Sequence, residues 1–204
     1  VLWAFLALTL APCREGWALQ SQEMNLSEMV QQADRIVAGK VISAVEASIP
    51  GPGGGTIPIM EYTLLVSNAI KGTADARIVV RHVRLPGVSF FLNDGSATGV
   101  GLPAYKVDEE VILFLTGESS LGLSSPVGLV QGAFRVQSDQ HGQPVSVVNG
   151  VGNAGLMRGT DKGNSRMKMA QEEGASPDQA LSPKDGPISY SGFISTVKEM
   201  VNEK

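Results

Sequence analysis

Hydrophobic and polar residues alternate along much of this chain, and the alternation predicts strands of a β-sheet. The clearest run lies in residues 60–70, where Tyr62 and Leu64 fall on one face and Glu61 and Thr63 on the other. Similar β-rich runs occupy residues 35–49, 77–83, 111–115, 129–137 and 145–148. The run 111–115 (VILFL) is apolar on both faces, so we expect it to be a central strand.

The spacing of these runs predicts a mainly β fold of about six strands. Turn residues such as Pro50–Gly55 separate neighbouring runs, and no helix alternates with the strands, which excludes a βαβ arrangement. The chain is therefore expected to form an antiparallel barrel or sandwich. One barrel interior is expected to hold six residues: Tyr62, Leu64, Val66, Val111, Leu113 and Phe134.

Helical periodicity appears only near the two ends of the chain. Asn25 followed by Glu28 matches a capping box, and an apolar stripe begins at Leu26. Residues 188–204 carry a second stripe, formed by Tyr190, Phe193, Ile194, Val197, Met200 and Val201. We expect a short N-terminal helix and a C-terminal amphipathic helix that docks on the barrel or on a partner.

Residues 150–187 differ in composition from the rest of the chain. They hold seven glycines, no aromatic residue and only three Val, Leu or Ile. Such a segment buries too little apolar surface to offset its conformational entropy. We predict a disordered linker here, between a domain spanning 19–149 and the C-terminal helix.

The first eighteen residues are typical of a secretory signal peptide. Leu2–Leu10 is apolar and uncharged, too short to span a bilayer, and Gly16 and Ala18 form a cleavage site. The sequence lacks an initiator Met and a basic n-region, which predicts that it begins inside the signal. We expect export to the periplasm, the cell surface or the medium, most plausibly from a bacterium, and no stable membrane span after cleavage.

Composition narrows the possible partners and the chemistry of the mature chain. Sixteen basic and twenty acidic residues give a net charge of −4, which disfavours nucleic-acid binding. Cys13 is the only cysteine and lies in the signal, so no disulfide is expected. Lipidation at Cys13 is the alternative to plain cleavage, although Pro12 disfavours it.

Three segments together resemble a known module. They are Ala33–Val41 (ADRIVAGKV), Tyr62–Gly72 with its Lys71-Gly72 end, and Asp108–Leu115 (DEEVILFL). Their order resembles uncharacterised exported bacterial proteins and the netrin-like module, the barrel of tissue inhibitors of metalloproteinases. The resemblance covers Leu26 to Val136 and implies an antiparallel OB-like barrel. Those inhibitors bind the protease zinc through an N-terminal Cys, which this mature chain lacks, so the resemblance does not imply that mode of inhibition.

Several short motifs suggest chemistry and have simpler alternatives. Gly150–Gly155 matches G-x-G-x-x-G, but no helix is predicted after it, and Ser165–Lys168 matches S-x-x-K inside the expected linker. His82 and His141 are too few and too distant for a zinc site. The simpler expectation is that both are hydrogen-bonded or solvated. Asp108–Glu110 lacks calcium-loop spacing and is expected to be an acidic turn. We therefore predict no catalytic residue, metal or cofactor.

The long Gly-rich loop before residue 106 is the best candidate for a binding surface. It contains Phe90, Phe91 and Leu92, and Tyr105 follows near its end. Adjacent aromatic residues in a loop either fill the barrel end or contact a partner. We predict an exported, non-enzymatic binding or structural module with a possible extracellular or envelope protein partner. A protease inhibitor acting through loops is the first alternative, and a hydrolase with an unrecognised site is the second.

Overall fold

The structure is a computed structural model of the chain that describes residues 23–84, 90–91, 102–159 and 186–203. It consists mainly of antiparallel β-strands with one helix near each end. In chain order the elements are α1 (Leu26–Gln32), β1 (Arg35–Pro50), β2 (Thr56–Lys71), β3 (Arg77–Val83), β4 (Phe90–Phe91), β5 (Pro103–Ala104), β6 (Glu110–Leu115), β7 (Ala133–Ser138), β8 (Pro144–Asn149), β9 (Ile188–Ser189) and α2 (Tyr190–Asn202). Two short 3₁₀ helices, Pro52–Gly54 and Leu129–Gly132, join neighbouring strands.

Seven strands form one sheet in the order β3-β2-β1-β6-β7-β8-β9, and every neighbouring pair is antiparallel. This confirms the mainly β, antiparallel class with a short N-terminal and a C-terminal helix. The expectation that the sheet closes into a barrel is wrong for the described residues, because β3 and β9 form its two open edges. Apolar side chains are buried on both faces of the sheet, so burial does not require closure. Separately, β4 and β5 form a parallel pair.

The central strand β6 supplies both faces of the sheet with buried side chains, as its sequence predicts. Ile112 and Phe114 face the two helices and belong to a cluster that we call the helix-side core. Val111, Leu113 and Leu115 face the opposite way, into a cluster that we call the strand-side core. All five side chains are fully buried.

The set of residues expected in one interior divides between these two cores. Tyr62, Leu64, Val111 and Leu113 lie in the strand-side core, and Val66 packs against it. Phe134 lies instead in the helix-side core. The reason is the alternation of strand β7, in which Ala133 faces one side and Phe134 the other.

The N-terminal helix begins with the capping box that its sequence predicts. The Asn25 side chain accepts a hydrogen bond from the Glu28 backbone N–H at 2.9 Å, and the Glu28 carboxylate accepts one from the Asn25 N–H at 2.8 Å. At the other end, the Lys71 ammonium donates to the Val30 carbonyl at 2.8 Å and to the Ala33 carbonyl. A cation at this end also interacts favourably with the helix dipole. Lys71 therefore fixes α1 to the end of β2.

The C-terminal helix docks on the sheet and completes the helix-side core. Phe193 and Val197 are fully buried. The Phe193 ring lies 4.7 Å from that of Phe134 and 6.2 Å from that of Phe114, measured between centroids. Within the described part of the chain, neither helix has the length and apolarity that a membrane-spanning helix requires.

The expectation of a disordered linker over residues 150–187 is wrong for residues 150–159. They form consecutive hydrogen-bonded turns, and Asn153 and Leu156 are each 1% exposed. The Asn153 amide donates to the Val147 carbonyl at 3.0 Å and to the Gly186 carbonyl at 2.7 Å. Composition does not reveal that residues 150–159 are ordered, because their order depends on a few buried hydrogen bonds and one buried leucine and not on a large apolar surface. Residues 160–185 lie outside the described residues.

The expected start of strand β7 is also wrong. A strand was expected from residue 129, but Leu129–Gly132 forms a 3₁₀ helix and β7 begins at Ala133. A Cβ added at Gly132 would lie only 2.2 Å from the Val127 carbonyl oxygen. This close backbone approach explains the glycine and the tight turn before the strand.

Candidate functional site

A pocket of about 470 Å³ opens beside the end of β3, and we call it the β3 pocket. Its volume lies within the range of about 300–1,000 Å³ that is typical of small-molecule sites. The segment after β6 forms most of its wall, and the end of β3 and the start of β5 complete it. Among the described residues it is lined by His82, Val83, Leu102, Thr116, Gly117, Ser119, Leu123, Ser124, Ser125 and Leu129.

His82 stands between this pocket and the strand-side core. It is the third inward-facing residue of β3, after Ile78 and Val80, and it is 3% exposed. The Tyr62 ring packs edge-on against the imidazole, with centroids 5.1 Å apart. Tyr105 lies on a further side at 6.0 Å. The imidazole is thus held by aromatic rings on its core side and borders the pocket on the other.

Neither ring nitrogen of His82 has a hydrogen-bond partner in the described part of the molecule. Burial lowers the pKa of His82 to about 4, so the imidazole is neutral at pH 7. A neutral imidazole carries one N–H donor and one acceptor nitrogen. Leaving a buried polar group unpaired costs about 1–3 kcal/mol, which makes it unusual in a folded protein.

The two tyrosines beside His82 are also buried. Burial raises the pKa of Tyr62, and it raises the pKa of Tyr105 well above the usual value, so both are neutral phenols. The Tyr62 hydroxyl is hydrogen-bonded to the backbone of Tyr105. The Tyr105 hydroxyl, in contrast, has no partner among the described residues.

The hydroxyl groups that line the pocket are mostly engaged with the backbone of their own loop. Thr116 donates to the Ser125 carbonyl at 3.1 Å, and Ser124 donates to the Thr116 carbonyl at 2.9 Å. The Ser119 hydroxyl accepts from two backbone N–H groups, those of Leu121 at 3.3 Å and Leu123 at 3.1 Å. Among the described lining residues, His82 is the one with buried side-chain nitrogens that lack a partner.

No Asp, Glu, Lys or Arg belongs to the described lining of the pocket. Two pairs of charged residues beside the lining form ion pairs, and the Asp34 carboxyl carbon lies 4.0 Å from where a Cβ at Gly117 would be. Arg81 bonds Glu61 at 2.7 Å, and Arg35 bonds Glu118 at 2.8 Å. The described lining thus combines aliphatic side chains, four hydroxyl groups and one neutral imidazole.

The structure describes the residues expected to form a binding surface only in part. Phe90 and Phe91 form β4 and pair with Pro103 and Ala104 of β5, and the placement of their side chains lies outside the description. Leu92 lies outside the described residues. Tyr105 is 3% exposed and packs in the strand-side core, so it is not a surface anchor. Its position after β5 turns it inward, against Tyr62 at 4.9 Å.

The acidic segment 108–110 is a structural turn, as expected. Asp108 has a positive φ of 72° and bonds Lys40 at 2.8 Å, an interaction that raises the pKa of Lys40. Glu109 forms an ion pair with Arg135 and accepts a hydrogen bond from the Lys106 N–H at 2.8 Å. Both carboxylates therefore have partners that fix the entry into β6.

The other motifs do not assemble a site. His141 lies in the exposed β7–β8 turn, far in sequence from buried His82, and within the described residues no group of three or more His, Cys, Asp or Glu is placed to hold a metal. Gly150–Gly155 lies in the turns after β8 rather than between a strand and a helix. Ser165–Lys168 lies outside the described residues.

His82 is the residue whose role sequence reasoning missed. The expectation is a hydrogen-bonded or solvated histidine, whereas His82 is buried and has no hydrogen-bond partner among the described residues. The sequence does indicate this burial. In the run 77–83, His82 is spaced two and four residues from Val80 and Ile78, and it therefore lies on the same, buried face of the strand. The pocket beside it could not be predicted, since it depends on the folded path of residues 116–129.

The chain was also compared with known proteins. No family model matches it, and no curated protein matches it.

Proposed function

We propose that this chain is an exported, non-enzymatic binding module, and that the β3 pocket is its ligand site. The observation that carries the proposal is a pocket of ligand size bordered by a buried histidine whose two nitrogens have no partner among the described residues. A buried polar group without a partner is a cost to folding, and a bound ligand that supplies the partner explains why the cost is kept.

A binding role is favoured over catalysis by the surroundings of His82. A general base is normally oriented by a second polar group and stands beside a nucleophile. Here the neighbours of the imidazole are two neutral tyrosines and apolar side chains, and the hydroxyls of the pocket wall bond the backbone. Export rests on the apolar run Leu2–Leu10 and the Gly16–Ala18 cleavage pattern.

A fragment screen with the intact mature protein tests this proposal. Amide chemical shifts would be recorded by NMR while small uncharged fragments are added. We expect binding fragments to shift the amides of Val83, Gly117 and Leu123 together, as occupants of one pocket would. Shifts scattered over the surface, or none at these residues, would overturn the proposal.

The two alternatives are tested on the same preparation. Turnover of generic ester or peptide substrates would identify a hydrolase, and slow, tight inhibition within a protease panel would identify an inhibitor. Turnover contradicts the non-enzymatic role, and inhibition contradicts small-ligand binding as the main role. Under the proposal both assays give no activity above that of buffer.

A protein partner at Phe90 and Phe91 stays a prediction, and changing both to Ser tests it. Unchanged melting together with lost binding to an identified envelope or extracellular protein supports a docking role. A collapsed melting transition indicates that the two rings contribute to the core. If the double variant keeps both its melting transition and its partner binding, Phe90 and Phe91 have neither role.

A further inference from the structure

We infer that the β3 pocket selects uncharged ligands that place an apolar body against Val83, Leu102 and Leu123 and a neutral hydrogen-bonding group, such as an amide or hydroxyl, against His82. This inference rests on the proposed function and specifies the chemical class of the ligand.

The charge of the ligand follows from the lining. The described lining carries no ionised side chain, and beside it Arg35 and Arg81 form ion pairs with Glu118 and Glu61. A charged ligand entering this pocket would lose hydration without gaining an opposite charge. An uncharged ligand has no such loss.

The hydrogen-bonding group follows from His82. The Thr116, Ser119 and Ser124 hydroxyls bond their own loop, whereas both imidazole nitrogens lack partners within the described structure. Both nitrogens are buried in the ring orientation of the structure, and rotation about the Cβ–Cγ bond would place each where a ring carbon lies. Contact between a nitrogen and a ligand in the pocket therefore requires that rotation. A neutral ring can donate to a carbonyl or accept from an N–H or O–H.

The apolar body follows from the remaining wall. Val83, Leu102, Leu123 and Leu129 contribute aliphatic surface on several sides of the pocket. An apolar group removes this surface from water, while the single polar contact sets its orientation. The ligand is therefore amphipathic and neutral rather than ionic.

Four probes of equal ring size separate these features: benzamide, benzoate, benzylamine and toluene. Their dissociation constants would be measured by titration of the amide shifts of Gly117 and Leu123 at neutral pH. We expect benzamide to bind most tightly, toluene next, and the two ions most weakly. Binding of benzoate or benzylamine in this pocket as tightly as benzamide overturns the inference, although the pocket would still be a ligand site. No binding of any probe overturns the proposed function as well.

Variants of His82 test the polar contact. His82→Leu is expected to weaken benzamide binding about tenfold and toluene binding little, since one hydrogen bond is lost. His82→Gln, which keeps a donor and an acceptor, is expected to restore most of the benzamide affinity. His141→Leu changes the exposed histidine and is the matched control, with no expected effect. Equal benzamide affinity in the wild-type and His82→Leu proteins contradicts the inference.

A direct measurement avoids dependence on the stability of the variants. The ¹⁵N shifts of the His82 imidazole in the wild-type protein report the hydrogen bonding of each nitrogen. We expect benzamide, and not toluene, to move one of these shifts. If saturating benzamide leaves both nitrogens unmoved, His82 is not the polar contact.

Discussion

The edge of the Tyr62 ring packs against His82, with the two centroids 5.1 Å apart and the planes inclined at 67°. The contact closes the core side of the imidazole with a neutral aromatic ring. With Tyr105 on a further side, the groups facing His82 from β2 and from the segment after β5 are uncharged phenols. Burial, and not a charged neighbour among the described residues, is what lowers the pKa of His82.

Stability should fall as the pH drops from about 6.5 to about 4. The pKa of His82 is about 4 in the folded chain and about 6.5 when unfolded, so the unfolded state binds the proton first. Above the pKa of the unfolded state, the neutral imidazole makes its full contribution to the free energy of unfolding. This contribution decreases as the pH falls from the unfolded pKa to the folded pKa. The loss amounts to about 3 kcal/mol.

Urea unfolding across this pH range measures the effect, with His82→Leu as the comparison. The variant should lose this part of the pH dependence, whereas His141→Leu should retain it. Parallel pH profiles for the wild-type and His82→Leu proteins would show that His82 is not the titrating group.

Breaking the ion pair between Arg135 and Glu109 should destabilise the fold strongly. The two side chains are only 15% and 9% exposed, so Arg135→Met leaves a buried carboxylate without its cation. The expected cost is about 3–5 kcal/mol in the free energy of unfolding, measured by urea titration. Lys40→Met removes the exposed partner of Asp108 and serves as the control, with little expected change. Similar effects from both variants would contradict the difference in burial.

Leu113→Ala should cost about 2–5 kcal/mol, because Leu113 is fully buried in the strand-side core. Leu65→Ala is the matched control, since Leu65 on β2 is 44% exposed. The control should change the free energy of unfolding by less than about 0.5 kcal/mol. A reversed order would show that the faces of the sheet are wrongly assigned.

Two variants distinguish the stability contribution of the folded turns from that of the rest of the segment before α2. Exchanging residues 161–184 for a short Gly/Ser linker should leave the melting temperature nearly unchanged, as their composition predicts. Deleting residues 152–183 removes Asn153 and Leu156 and should lower it by roughly 5 °C or more. Equal melting temperatures would mean that the buried turns add nothing to stability.

Export is tested by the N-terminus of the secreted protein. Mass spectrometry should find a mature chain that starts between Leu19 and Ser21. Ala18→Arg places a charge at the cleavage position and should block processing. A diacylated Cys13 would support lipidation instead, and an uncleaved chain in the cytoplasmic fraction would contradict export.

Much of the fold follows from periodicity, because local patterns determine it. The capping box at Asn25, the doubly buried strand at residues 111–115 and the docking stripe around Phe193 are all confirmed. These features depend on neighbours in sequence, whose spacing can be read directly.

The remaining features depend on contacts between distant residues. Phe134 was assigned to the wrong core because alternation shows that two faces exist but not which partner covers each. The turns around Asn153 are fixed by hydrogen bonds to Val147 and Gly186, which composition does not reveal. The β3 pocket likewise arises where residues 116–129 pass the end of β3.

The packing of Phe193 against Phe114 and Phe134 has a consequence for the order of folding. The helix-side core joins α1, the central strands and α2, so it cannot be completed before residues 190–202 have been synthesised. Until then, the helix-facing side chains of β6 and β7 remain exposed to water or to a chaperone. Contacts between such distant segments also make folding slow. With export as proposed, this delay would keep the chain unfolded long enough to be threaded through a membrane.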